Sequence, residues 1–445
     1  MRSRSITGPL ILVLIGLFFL ISNVRPDLLN FSRIGDYWPF LLIGVGVVGL
    51  VEVLIRAGQG VTAPRPFRGP WIFWIIVVCV FFAVANRNRD FRFARFNTDG
   101  VSFFGSDYDY DVNVSEPAQG ITRVVLDNLR GDLSLKGDDS AEVKVTGHET
   151  VRAFNHNDAD RAQAHTSVHI ERQGDQLFIR TDQSPGAGIS RVTTDLDISV
   201  PKGVSVESRV RSGELTIDSI DGAVEVTTGR GDIRLNHIGQ NVRIDSSRSG
   251  DIHATDLRGN FDLGDGHGGD LQLDNVAGLV TIRGEYSGTL DFRALAKPFQ
   301  FNSARTEFHA EAVPGSITLD LGDLKMSNVT GPVRFQTGTR DIEATDITES
   351  LDLVVNRGDL AITATRSPLP RIDARTRNGD ITLNVPDKAA FHLNGSTGQG
   401  DVDNSYGSPL EAETSGHSAS IRGQTGNGPQ ITLTSQRGTI SVKKS

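Results

Sequence analysis

Asp232, Asp251 and Asp270 stand nineteen residues apart, each directly behind a glycine. Carboxylates repeated at a fixed interval are the ligand type that hard divalent cations select. Like charges stacked in one row also repel unless something bridges or screens them. A cation ladder through Asp232, Asp251 and Asp270 is therefore one expectation, and capping of each aspartate's own turn with solvation of the charge is the other. The run "DGHGGD", residues 265–270, invites a second metal reading but lacks the G-G-x-G-x-D register of calcium-binding rolls. The ten histidines are scattered, with no pair-plus-acid spacing of metal-ligand character. No acid–base pair suggests catalysis and nothing calls for a cofactor, so the expectation is a protein that is not an enzyme.

The tripeptide Arg-Gly-Asp occurs at Arg130-Gly131-Asp132, Arg230-Gly231-Asp232 and Arg357-Gly358-Asp359, which a short-motif search would read as adhesion signals. Elsewhere the Gly-Asp pair follows Ser249, Gly268, Asn378 or Gln399. The pair is thus the constant element. A glycine allows a positive-φ corner there, and an aspartate can cap it. Arg-Gly-Asp arises where the variable residue is arginine.

The elements that carry these corners are legible from the apolar residues. Ile233, Leu235, Ile238, Val242 and Ile244 stand at offsets 0, 2, 5, 9 and 11, and nineteen residues later the same offsets hold Ile252, Ala254, Leu257, Phe261 and Leu263. The next set includes Leu271 and Val276. Eight such units, from Leu215 to Leu353, fill forty positions with apolar residues only. Apolar-x-apolar is a short strand with one face inward. Two strands per unit, repeated, describe an all-β fold, a parallel β-solenoid of 16–21-residue coils stacked at about 4.8 Å. Its core includes Ile233, Leu235, Ile238, Val242, Ile244, Ile252, Leu257, Phe261, Leu271 and Val276. Looser copies begin near Leu360, Ile381, Val402, Ile421 and Ile440, which makes thirteen coils from Leu215 onward and a stack of roughly 60 Å. Residues 120–200 read as an N-terminal β segment and cap, with a short helix over 158–165 and a hairpin around Gly174-Asp175; the solenoid proper reads as 201–445. No cap is evident at the C-terminus, which ends in "TISVKKS".

The first hundred residues differ. They carry +6 and no lysine, whereas the remainder carries −15, and the single Cys79 rules out a disulfide within one chain. An acidic body of this kind disfavours nucleic acid as a partner. Apolar stretches over 6–24, 37–55 and 71–85 predict an N-terminal α-helical transmembrane region of three helices within residues 1–90. Residues 91–119 read as a juxtamembrane linker, where "FRFARF" suits anionic lipid. Five flanking arginines on one side against six on the other leave the orientation open.

The segments "GPLILVLIGLFFLISN" and "YWPFLLIGVGVVGLVEVL" resemble the membrane region of the LiaI/LiaF type, and "LDISVPKGVSVESRVRSGELTIDSIDGAVEVTTGRGDIRL" resembles the DUF4097 adhesin-like repeat domain. This resemblance implies a membrane-anchored protein of the bacterial cell envelope and transfers no catalytic residue. The expectation is a multi-pass protein of the bacterial cytoplasmic membrane whose solenoid lies outside the cytoplasm as an interaction or scaffold surface. Its partners would be membrane lipid together with envelope proteins, cell-wall glycans or further copies of itself. Two alternatives remain: an envelope-stress regulator acting through its membrane helices, and a bactofilin-like solenoid that polymerises.

Overall fold

The computed structural model describes residues 95–97, 100–102, 105–128, 130–181, 191–246 and 250–445. The three apolar stretches predicted to span the membrane lie outside these residues. Among the described residues no helix is long and apolar enough to cross a membrane. The chain divides into two compact units, Met1–Ser106 and Asp107–Ser445. In the first, Arg95–Asn97 pairs with Gly100–Ser102 as a short antiparallel ribbon.

The second unit is a β-solenoid of two long sheets, one of 17 strands and one of 16, with one strand of each coil in each sheet. Apolar residues of equal offset pair directly: Ile233 with Ile252, Ile252 with Leu271, and Leu271 with Leu290. The second strands do the same, Val242 with Phe261 and Phe261 with Val280. All forty positions are buried, each at 5% exposure or less. The ten core residues named from the sequence are among them.

The offset of five has a local cause. A strand alternates faces, so offsets 0 and 2 point inward and offset 4 should follow. Instead the residue at offset 4 is left-handed in seven coils: Ser219, His237, Asp256, Asn275, Ala294, Asn328 and Asp346 have φ between +49° and +61°. That extra half-turn shifts the phase by one, and offset 5 becomes the inward residue, as in a β-bulge. Asparagine and aspartate tolerate this conformation best among residues with a side chain, and they occupy four of the seven places.

Parallel stacking does not hold through all eight coils. After Phe299–Asn302 the chain turns at 303–305 and runs back as Thr306–Ala310, pairing antiparallel, with Phe301 opposite Phe308. It crosses to the other sheet as Val313–Leu319, where Leu319 faces Leu290 and Ile317 faces Phe292. A second turn leads into Asp323–Ser327, antiparallel again, and upward parallel stacking resumes with Ile342 on Leu324. One coil is therefore wound in reverse. Its apolar pattern cannot reveal this, because 0, 2, 5, 9, 11 read backwards is 0, 2, 6, 9, 11. The single mismatch is absorbed by a register shift between Arg293 and Leu295. Stacked rings fill the reversal: Phe292–Phe299, Phe299–Phe308 and Phe308–Phe335 centroids are 4.6, 5.3 and 5.0 Å apart.

Both ends of the stack are closed out of chain order. At the front, coil 123–138 lies between coil 205–220 and an outer layer made of Gln176–Thr181 and Arg191–Pro201. The helix α1 (His156–Gln163) starts two residues earlier than its predicted span, capped by Asn155, whose side chain accepts from the Asp158 N–H. The hairpin around Gly174-Asp175 pairs Val168–Gln173 with Gln176–Thr181. Ser106–Pro117, expected as linker, is a twelve-residue strand on the outer edge, because alternating Tyr108, Tyr110 and Val112 give it one apolar face.

At the far end, Gln430–Arg437 and Ile440–Lys444 slide between earlier strands. Ile440 pairs with both Ile381 and Val402, and Ile431 with both Ile372 and Leu393. The expectation of an uncapped C-terminus is thereby corrected. Its last coil is interior, and Ile421 starts no coil of its own but sits in a hairpin, Glu411–Ser415 with Ser418–Gln424, laid over His392–Gln399. The apolar repeat marks which residues face inward but not which coil they stack upon.

Candidate functional site

Each coil crosses between the sheets at two edges. At one edge lie the Gly-Asp pairs, and the structure shows why both letters recur. A Cβ on Gly231, at φ +132°, would lie 1.8 Å from the Gly213 carbonyl oxygen of the coil below. At Gly250, whose φ is not positive in this sense, a Cβ would instead meet the Asp232 carboxylate at 2.0 Å. Crowding by the neighbouring coil, more than a positive-φ corner, demands the glycine.

The aspartates do not cap their own turns. Asp232 Oδ1 accepts from the Asp251 N–H at 2.9 Å, Asp251 Oδ1 from the Asp270 N–H at 2.9 Å, and Asp270 Oδ1 from the Thr289 N–H at 2.7 Å. The same ladder runs from Asp341 to Asp359 to Asp380 and on to the Thr439 N–H, tying the inserted last coil to its neighbour. Asp232, Asp251 and Asp270 do form one row, and each has an oxygen committed to a backbone donor. Among the described residues no group of three or more His, Cys, Asp or Glu converges as a metal site. "DGHGGD" is not a loop: Phe261–Gly268 continues as strand past a register shift between Leu263 and Gly266. In all three Arg-Gly-Asp tripeptides one carboxylate oxygen is engaged within the fold, since Asp132 and Asp359 likewise accept from the Glu214 and Asp380 N–H groups. The recurrence of Gly-Asp is thereby accounted for by coil-to-coil contacts within the fold.

The ladder is broken between Thr289 and Asp341, where the reversed coil turns back twice instead of crossing. Gly322-Asp323, which reads like a corner, belongs to the second turn, where Asp320 Oδ1 accepts from Gly322 at 2.9 Å and Asp323 at 2.6 Å. The missing crossings leave a slot of about 550 Å³ between the sheets. Its inner wall includes Leu290, Phe301 and Leu319, and Thr306 and Thr337 with hydroxyls 3.2 Å apart. Arg305, Arg340, Glu285, Asp320 and Leu321 surround the mouth. The Asp323 N–H holds the Asp320 carboxyl below the usual range, while burial pulls the Arg340 guanidinium below that of a free arginine. Arg340 Nη1 donates to the Asp323 carbonyl at 3.4 Å, and its Nε–H is buried with no acceptor.

The opposite edge carries the left-handed column. There His237 lies between Asp218 and Asp256, at 3.4 and 3.2 Å, and the Asn275 amide donates to Asp256 at 2.5 Å. Lys202 and Arg258 border this shallow polar groove of about 570 Å³. Sequence reasoning singled out neither the slot nor the groove. The one available signal for the slot was the shortened step of sixteen from Phe308 to Leu324, together with the absence of Gly-Asp before Phe308.

A family-wide sequence profile described as Toastrack DUF4097 matches residues 121–443. The chain belongs to the Toastrack DUF4097 family. No curated protein matches it. Among solved structures, this Toastrack chain is similar to a "putative cell adhesion protein" of Clostridium sporogenes, at 9% identity over 76% of this chain and 100% of that one, with a TM-score of 0.19. A "putative adhesin" of Bacteroides fragilis is 12% identical over 76% and 97%, TM-score 0.19, and a "putative lipid binding protein" of Parabacteroides distasonis 11% over 77% and 97%, TM-score 0.21. Superpositions this loose carry no inference about activity. The membership itself agrees with the two-sheet stack and assigns the Toastrack chain no catalytic residue.

Proposed function

We propose that this chain is a non-enzymatic, adhesin-like interaction rod of the bacterial cell envelope, anchored in the cytoplasmic membrane by residues 1–90 and projecting outward. Family membership supports the solenoid part of this reading, and the three apolar stretches support the anchor. One observation carries the choice among roles: both ends of the stack finish in segments that depart from the apolar repeat, Ser106–Pro117 with the 168–181 hairpin at one and the 411–424 hairpin at the other. Open solenoid ends present unpaired strand edges that invite end-to-end growth. Ends that do not present the repeating coil face favour partners that meet the flanks, such as envelope proteins or cell-wall glycans, over a bactofilin-like polymer. The acidic flanks also disfavour phosphate-backbone partners.

Because the C-terminal coil is interior, a reporter fused there would disturb the fold it reports on. An epitope inserted at Gly416, the exposed tip of a hairpin at φ +65°, avoids this. The expected result is antibody and protease access on intact spheroplasts, with full-length chain in lipid nanodiscs cosedimenting with isolated cell wall. Access only after membrane permeabilisation would overturn the outward orientation. Filaments of the purified chain under the electron microscope would favour the polymer.

A further inference from the structure

Away from the reversed coil, described backbone crossings such as 229–232 and 269–270 pass over the Gly-Asp edge of the regular parallel coils. At the reversal, strand Val280–Tyr286 runs three residues beyond its last pairing with Phe299–Asn302, and Val333–Thr339 runs two beyond its pairing with Thr306. The hairpin between them stops short, so apolar core side chains border a cleft with charged groups at its mouth.

The charges there are not equivalent. Asp320 holds two backbone N–H groups of its own turn, and Glu285 accepts from the Ala304 N–H at 2.9 Å. Both acids thus have hydrogen bonds that hold the hairpins in shape. Among the described residues no carboxylate forms an ion pair with Arg305 or Arg340 at contact distance, although Asp320 and Asp323 are near enough to act on the Arg340 charge, and the Nε–H of Arg340 is buried without an acceptor. A buried donor left unsatisfied is unfavourable and calls for a partner. Guanidinium is the side chain that best suits planar or tetrahedral oxyanions. Leu321 is 72% exposed at the lip, beside Leu319, and is the more exposed of the two large apolar side chains that stand out to solvent among the described residues.

We propose that the slot binds the anionic end of a single-chain amphiphile, a carboxylate or phosphate monoester with an alkyl tail. The head lies on Arg340 with Arg305 at the mouth, and the tail lies on Leu321 and Leu319. This assignment does not depend on which side of a membrane the solenoid faces or on its role in the envelope.

The test uses the full-length chain in phosphatidylcholine nanodiscs and a ten-carbon fatty acid carrying a photoreactive diazirine. Peptide mapping is expected to place label on residues 285–290 and 319–321. Excess decanoate or decyl phosphate should remove it, whereas decylamine should not; whichever anion acts at lower concentration identifies the head group. Arg340→Gln should lower slot labelling at least tenfold. Leu321→Ser, on an exposed turn, should lower it severalfold with an unchanged melting temperature. Labelling confined to the apolar stretches or spread evenly over the solenoid would overturn the proposal. So would equal competition by decylamine, or slot labelling indifferent to both substitutions.

Discussion

The coils from Leu215 to Ile282 and the single coil from Thr306 to Leu319 bury the same kinds of residues at nearly the same spacing, yet run in opposite directions. In the regular part, the described backbone crossings run along both edges, and an aspartate on each coil from Asp232 onward reaches the N–H of the next. In the reversed coil the apolar stack continues, but one edge opens and the aspartate ladder stops. The comparison separates two requirements that a uniform solenoid merges. Side-chain packing tolerates either direction because the offsets are almost palindromic. Edge closure and the polar ladder need one direction only, so the point of reversal is where a cleft can form.

The sharpest way to break this comparison is a crosslink. In a Cys79→Ser background, Asp291→Cys with Thr318→Cys places thiols on directly paired residues and should oxidise to completion, whereas Asp291→Cys with His309→Cys, the parallel alternative, should not. Mass spectrometry of the oxidised chain distinguishes them, and the opposite outcome would erase the reversal. Next in size, Ile238→Asp puts an unpaired charge into the regular core and should cost about 4 kcal/mol or more in denaturant unfolding, with new protease sites in adjoining coils. Phe308→Ala, in the ring stack of the reversed coil, should cost about 3–5 kcal/mol. A loss well below that range would mean that the reversed coil is loosely packed. At the bottom of the scale, Asp251→Ala removes one coil-to-coil acceptor and should cost about 1–2 kcal/mol. Arg230→Ala, on the variable corner position, should change stability by less than about 0.5 kcal/mol and leave cosedimentation with isolated cell wall unchanged. Millimolar calcium should leave the melting temperature of the parent chain unchanged if the hydrogen bonds alone hold the ladder, and raise it if a cation bridges Asp232, Asp251 and Asp270.

These contrasts also mark what could be read in advance. Ile233, Ile252 and Leu271 announce a shared column through their spacing alone, since burial on one face of a short strand leaves an unmistakable period. The left-handed residue at offset 4 was implicit in the same numbers, because an inward residue at 5 rather than 4 demands a bulge. Direction and order were not legible. Phe308 and Leu319 satisfy the forward pattern while running backward, and Ile440 matches Ile381 as well as Val402 because every coil has the same inner face. A repeat that makes all coils compatible cannot by itself say which two will touch. The slot escaped for the same reason. Arg340 and Leu321 are brought together by two turns whose residues, read singly, look like ordinary surface.

The position of residues 430–444 has a consequence for biogenesis. Residues 430–444 must enter a layer bounded on both sides by strands that precede them in the chain, so the distal portion can reach its finished pairing only after those residues have been made. Until then Ile381 and Val402 lack their shared neighbour. A chain cut before residue 430 would have an unfilled gap in the stack rather than a slightly shorter one.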